Sequence, residues 1–404
     1  MTIKKTYQYR IYFNKTKEKA IHQILENCSW LYNHLLTQFR ERDQKGERQT
    51  TKIQLQNSLI SIKKNNSFLR QTQSHILQDV AKRVYKTWQN YQRLKGLNPK
   101  KKYPNFKPIG RYYSFTYSQP IAKKGCGYII DNSPLLKKSE MRDLKLTLGR
   151  QNNHNVYLET SVCLSRNIEG EVKNLTIKKK NGKYYSLFSC DNIQLKPLPK
   201  TNKKVGLDLG IGTLITTSRG KRVKNPKFYQ QTQNTLKKAQ QYLSHKVQGS
   251  HNWLDAKLQL AKKWEKLVNQ FRHYSYQQVN ELVKEYDDIA IENLDVKGML
   301  KKKTGDNKKS LRRSLAGVKF GILLKVISDK ASIAGRRLVR VNPRNTTQTC
   351  SNCGELSREK IKLNQRVFEC WNCDYKVDRD MNSAKNIYQL GFDRNLPLKR
   401  GKEL

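Results

Sequence analysis

Acidic residues are scarce in this chain: 32 Asp and Glu face 81 Lys and Arg, leaving a formal net charge of +49 over 404 residues. A free chain so charged repels itself, so a polyanion such as nucleic acid is the expected partner. The excess is not a tail. Basic runs at 100–102, 178–180, 301–303 and 308–309 are spread along the sequence, which suggests a protein wrapped around its partner. A ribosomal-type basic surface is the plainer alternative. Apolar residues are also sparse, at 36%, and no run approaches the roughly 18 residues a membrane span needs. The N-terminal "MTIKKTYQYRIYF" alternates like a strand and lacks the apolar stretch of a secretory leader. No membrane partner and an intracellular location are expected. No repeat of 20–50 residues is evident, which argues against a solenoid.

Cysteine is present but unevenly used. Cys28, Cys126, Cys163 and Cys190 are isolated in apolar or strand-like surroundings, where a free thiol is usually a small buried hydrophobe. Cys350, Cys353, Cys370 and Cys373 instead form C-x2-C-x16-C-x2-C. Inside a cell such paired knuckles read as ligands of one structural Zn²⁺ before they read as disulfides. Four thiolates would leave that ion no open position for catalysis.

Patterning divides the chain. Residues 3–13 alternate as a strand, and 15–95 carry helical three- and four-residue spacing. Residues 98–200 return to short strands, with Asn181-Gly182 as the two-residue turn of a hairpin. After the linker "LKPLPKTNKK", antiparallel strands lead into helical stretches near 230–247 and 252–286. A strand, a basic loop, a helix near 311–334, another strand, the cysteine segment and a last helix follow. The expectation is a multidomain α+β protein.

Three acids stand out. Alternation puts Val205, Leu207 and Leu209 on one strand face and Asp208 with Gly206 and Gly210 on the other. In "DDIAIENL", Ala290 and Glu292 similarly oppose Ile289 and Ile291, and Asp380 precedes the apolar helix positions Ala384 and Ile387. Carboxylates from two strands and a helix start can hold Mg²⁺ beside a phosphate. Two such ions serve both the attacking water and the leaving oxygen of phosphodiester cleavage. Each acid also has a structural reading: Asp208 closing a turn, Glu292 pairing with a local lysine, Asp380 capping its helix.

The stretches "GLDLGIGTLITTS", "IAIENLDVKGML", "VNPRNTTQTCSNCG" and "CWNCDYKVDRDMNSAKNI" resemble the RuvC-like nuclease and zinc-ribbon motifs of the TnpB family. These proteins, also called OrfB, are encoded by insertion-sequence transposons and are similar to type V CRISPR nucleases. "YQYRIYFNKTKEKAIHQILENCSWLYNHLL" and "YPNFKPIGRYYSFTYSQ" look like the family's wedge and recognition elements, so the resemblance covers nearly the whole chain. It implies a small β-barrel wedge domain (1–13 and 96–200) holding a helical recognition insert (14–95). An RNase H-like (RuvC) nuclease domain (201–404) would follow, with a zinc ribbon (347–376) inserted. It also implies an RNA-guided DNA endonuclease of the prokaryotic cytoplasm. A monomer would bind a structured guide RNA from the transposon end and double-stranded target DNA beside a short adjacent motif. Asp208, Glu292 and Asp380 take the family's first, second and third acidic positions, with two Mg²⁺ ions. Asp378 is an extra acid, and Asn382-Ser383-Ala384 replaces the frequent Asn-Ala-Ala.

Contacts with nucleic acid are less legible. Ser74, His75 and Gln78 open a helix and, with Thr116, are candidates for reading base edges. Tyr7, Tyr9, Arg10 and Lys107 are candidates for RNA, although alternating tyrosines also suit a barrel core. Arg344 is placed to touch a phosphate or to form an ion pair. Two rivals remain: a guide-RNA-dependent DNA-binding regulator without cleavage, which the intact acid triplet opposes, and a DNA-only enzyme such as a junction resolvase. The latter leaves the helical insert and the barrel without a purpose.

Overall fold

The structure, a computed structural model, describes residues 2–119, 127–137, 139–151, 154–195, 197–301, 317–361 and 365–393. Cys126, the basic run at 308–309, residues 302–303 and the start of the helix expected near 311 lie outside them. The chain forms two compact units, Met1–Gln194 and Leu195–Leu404.

The first unit begins with β1 (Thr2–Tyr12). Three helices follow: α1 (Lys15–Gln44), α2 (Lys52–Asn65) and α3 (Ser74–Leu97). Their starts are fixed by side-chain caps at Asn14, Thr51 and Gln73, with a capping box between Thr51 and Gln54. Six strands come next: β2 (Ser114–Tyr117), β3 (Tyr128–Ile130), β4 (Glu140–Gln151), β5 (His154–Leu164), β6 (Glu171–Lys180) and β7 (Lys183–Gln194). They join β1 in one antiparallel sheet of order β2-β6-β7-β1-β5-β4-β3. The sheet curls until it is nearly a closed barrel. Among the described residues no ladder joins the edges, but the Tyr117 hydroxyl donates to the Thr147 carbonyl of β4 at 2.9 Å and its ring lies 6.3 Å from that of Tyr128. Asn181 and Gly182 both take positive φ (50° and 71°), as the tight turn between β6 and β7 requires.

The second unit holds a five-stranded sheet: β8 (Lys204–Asp208), β9 (Thr213–Thr217), β10 (Arg222–Lys224), β11 (Asp288–Glu292) and β12 (Arg337–Val341). Its order is β10-β9-β8-β11-β12. The first three strands form an antiparallel meander, while β8, β11 and β12 are parallel. Between β10 and β11 run α4 (Phe228–Ser244) and α5 (His251–Glu285). Between β11 and β12 lie α6 (Val296–Lys301) and α7 (Phe320–Ile333). The short β13 (Val367–Glu369) and β14 (Lys376–Asp378) pair with each other before α8 (Arg379–Phe392) ends the fold. Val205, Leu207, Ile289 and Ile291 face a core with Leu282, Leu323 and Ile327 of α5 and α7. On the other face Ala290 packs with Ile387 of α8. The two-residue alternation thus divides the sheet as the sequence suggests.

No helix among the described residues is long and apolar enough to cross a membrane.

Candidate functional site

Asp208 and Glu292 are the last residues of β8 and β11, adjacent parallel strands at the centre of the second sheet. The carboxyl ends of parallel strands are where open α/β sheets place their ligands. Helix α8 lies across the same face because the strands beneath it carry almost no side chain. A Cβ on Gly206 would meet the backbone of Ala384 and Tyr388, and a Cβ on Gly391 would come within 2.6 Å of that of Ala290. This close approach brings Asp380, in the first turn of α8, towards the two strand acids. Gly206→Ala should therefore lift α8 and destabilise the second unit by roughly 1–3 kcal/mol. Gly321→Ala, whose Cβ meets nothing within 4 Å, should be neutral or slightly stabilising. Urea unfolding of the two variants gives the comparison.

Two of the acids act on the third. Burial pushes the Asp208 carboxyl well above the usual carboxylate range, and the charges of Glu292 and Asp380 add to it; Arg379 acts in the opposite sense. Among the described residues Asp208 has no hydrogen-bond or ion-pair partner, so it closes no turn. Burial also raises Glu292, which is 9% exposed, against a hydrogen bond from the Thr346 hydroxyl. That partner is a threonine, not the lysine of the structural reading. Asp380 accepts from Arg379 Nη2 at 2.9 Å and Nε at 3.2 Å, with Arg366 Nη1 at 3.9 Å. It does not cap α8. Asp378 does, accepting from the Met381 amide at 3.0 Å while Arg222 pairs with its carboxylate. The negative charge that Glu292 and Asp380 place on Asp208 is what a divalent cation would relieve, although among the described residues only the four cysteines have their ligand atoms gathered for one ion.

Next to this cluster the four sulfurs gather. Cys350 and Cys373 are 3.8 Å apart, Cys353 and Cys370 are 3.5 Å apart, and all four ligand atoms lie within 4.8 Å of one another. A disulfide needs about 2.05 Å. Zinc–sulfur bonds of about 2.3 Å set tetrahedral edges of roughly 3.8 Å, so these residues could hold zinc. Burial raises the Cys350 thiol, whereas the Asn352 side-chain amide lowers Cys373.

Sequence reasoning noted Asn382 and Ser383 only as a motif variant and missed Asn386 and Gln389, which with them tie the cysteines to the acids. Asn382 and Asn386, buried and one helical turn apart on α8, donate to Thr346 and Thr349 carbonyls at 2.7–2.8 Å. Asn382 also accepts from the Ser351 amide at 2.9 Å, and Gln389 donates to the Ser351 carbonyl at 2.9 Å. Ser383 is buried and bonds Thr347 at 3.2 Å. One short segment, 346–351, thus holds Glu292, the first cysteine and the helix bearing Asp380. Two amides at i and i+4 on a buried face were the available signal.

The other candidates are scattered. Tyr7 and Tyr9 are corrected: only 1% and 2% exposed, their rings fill the sheet interior and their hydroxyls bond Glu169 and the Arg166 carbonyl. No ring face is left for a base. Arg10, on the opposite face of β1, lies over Tyr12 and Tyr185. The Lys107 ammonium sits 4.8 Å from the centre of the Tyr32 ring, and burial lowers its pKa. Ser74, His75 and Gln78 occupy the first turns of α3, where the Ser74 hydroxyl accepts from Lys63 at 3.2 Å, while the Thr116 hydroxyl of β2 accepts from Arg83, further along that helix, at 2.8 Å. Arg344 is exposed, and among the described residues its guanidinium has no ion-pair partner.

Three family models match in succession. Residues 1–48 match "Helix-turn-helix domain" of OrfB_IS605, 177–303 match OrfB_IS605, described as "Probable transposase", and 320–387 match "Cas12f1-like, TNB domain". The chain belongs to the TnpB (OrfB) family. Its first 44 residues nonetheless form one strand and one helix rather than a helix-turn-helix. Among curated relatives, the Escherichia coli protein named "Putative RNA-guided DNA endonuclease InsQ" is 25% identical, covering 90% of this chain and 86% of that one. A Streptomyces pristinaespiralis relative named "Putative RNA-guided DNA endonuclease" is 26% identical, covering 96% and 90%. The fold is similar to that of the solved structure titled "Cryo-EM structure of the Cas12f1-sgRNA-target DNA complex", with a TM-score of 0.62 at 14% identity over 96% of this chain and 99% of that one.

Proposed function

We propose that this chain is an RNA-guided DNA endonuclease whose single RuvC-like site is built from Asp208, Glu292 and Asp380. The observation that supports the reading is that Glu292, at the end of the neighbouring strand, and Asp380, in the first turn of the helix above it, lie near enough for their charges to add to burial in raising Asp208. The order β10-β9-β8-β11-β12, a meander joined to parallel strands, supports assigning an RNase H-like domain to residues 201–404. The curled sheet and α1–α3 are then the wedge domain and its recognition insert.

Asp208, Glu292 and Asp380 would hold two Mg²⁺ ions, and the four cysteines a structural Zn²⁺. Bound there, magnesium would activate water and carry the charge on the leaving oxygen. The chain's own part is placement. Thr346 orients Glu292, α8 presents Asp380, and Arg344 is free to take a backbone phosphate. Ser74, His75, Gln78 and Thr116 would read the target-adjacent motif, with base pairing to the guide carrying the remaining specificity. Arg10 and Lys107 would meet RNA. The +49 charge suits a transposon-end RNA and a DNA duplex held by a monomer in the prokaryotic cytoplasm.

The test supplies the purified protein with a matched or scrambled guide and one DNA target, in Mg²⁺ or EDTA. Cutting is expected only with the matched guide and Mg²⁺. Equal cutting with both guides would favour a DNA-only enzyme, and guide-dependent binding without cutting would favour a regulator.

A further inference from the structure

Helix α5 is longer than its fold requires. Its C-terminal half, from Leu267 through Phe271, Ser275 and Val279 to Leu282, is buried at three- and four-residue steps. Before Leu267 only Ala256 is buried, and α4 contributes only Leu236. Trp264 still lies under Lys319, so residues 251–263 carry α5 about 20 Å past its core, at about 1.5 Å per residue, with α4 alongside. A crossover between strands needs only about a dozen residues. An arm with so little apolar burial adds little to stability.

The composition of the arm points to what it meets. Residues 229–266 contain seven lysines and two acids, Asp255 and Glu265. Lys238 and Tyr242 are one helical turn apart and Lys246 follows, its ammonium 4.3 Å from the Tyr242 ring centre. On α5 the Lys257 ammonium lies 4.5 Å from the Trp253 ring centre. Tyr242 is 58% exposed and Leu254 50%. Lysines paired with rings and almost no competing carboxylate form a surface for phosphates. A protein partner would more often meet a tip with fewer lysines.

We propose that the α4–α5 arm is a second nucleic-acid contact, separate from the acid cluster, which grips the phosphate backbone of a duplex through Lys238, Lys246 and Lys257. This deepens the guided-nuclease reading and rests on it only for the source of the duplex: a helix within the guide RNA, or the hybrid of guide and target.

The test is the full-length triple variant Lys238→Glu, Lys246→Glu, Lys257→Glu beside wild type. Binding of an RNA duplex and of an RNA–DNA hybrid of equal length is measured over a range of salt. Each phosphate contact contributes roughly 0.9 to the slope of log affinity against log salt, so the variant should lose about 2–3 from the slope. The exposed sites should leave the unfolding temperature unchanged. Weaker loading of guide RNA assigns the arm to the guide, whereas normal loading with weaker binding of matched target assigns it to the hybrid. An unchanged slope overturns the proposal, including when the arm captures a protein. Cutting that ignores the guide, with the slope still reduced, would sink the guided reading and leave the arm standing.

Discussion

Asp208→Asn should reduce cutting of a matched target by about a thousandfold or more, yet raise the thermal stability of the metal-free protein by a few degrees. The first effect follows from removing a ligand of the proposed cation site, which would be worth several kcal/mol to the transition state. The second follows from the ground state. Asp208 is raised by burial, by Glu292 and by Asp380, so its ionised form opposes folding. A carboxyl whose folded pKa exceeds its unfolded one binds its proton more tightly in the native state. Stability then falls as pH climbs from the ordinary carboxylate range to the raised folded value, and levels off above it. The amide of the variant does not titrate, so most of that slope should vanish; Glu292, also raised, would keep a smaller one. Asp208→Ala, Glu292→Ala and Asp380→Ala should not add, because in the proposed site each alone disables the same cation cluster. Calorimetry in EDTA over a pH series, beside single-turnover cutting in Mg²⁺, checks both halves. A variant that cuts near the wild-type rate removes Asp208 from the site. One that loses stability shows that its carboxylate serves the fold.

What could be read before any coordinates was mostly local. Period-two alternation gave the two faces of β8 and β11, because a strand side chain has only two directions to take. Asn181-Gly182 identified its own turn, since few residue pairs accept two positive φ values. Cysteine spacing predicted a gathering of four sulfurs. Alternation could not say which face of β1 was inside, so Tyr7 and Tyr9 were open to RNA on paper and are core in fact. Nor could it foresee that Asp378 rather than Asp380 caps α8, because either acid is a credible cap two residues apart. The bond from Thr346 to Glu292 spans 54 residues and no local pattern announces it. The reach of α5 beyond its core was equally hidden: its amphipathic spacing continues past the point where there is anything to pack against.

Cys370→Ser should remove about one zinc per chain, expose residues 347–376 to protease and slow cutting at least tenfold, while guide RNA still loads. Zinc takes no part in the proposed reaction, so the effect must travel through structure. The cysteine segment cannot build a core of its own: its buried cluster is Cys350, Phe368 and Cys370, with only a few partly buried neighbours. Small domains of this kind draw about 10–16 kcal/mol of apparent binding energy from structural zinc. Without the metal the first knuckle should loosen, and the bonds from Asn382, Asn386 and Gln389 to Thr346, Thr349 and Ser351 would lose their fixed partners. Those bonds set where α8 presents Asp380 and where Thr346 meets Glu292. Asn386→Ala, which keeps every sulfur, should therefore slow cutting with zinc still bound, separating the clamp from the metal. If the zinc-free protein resists protease and cuts normally, the ribbon positions nothing, and the clamp alone fixes the acids.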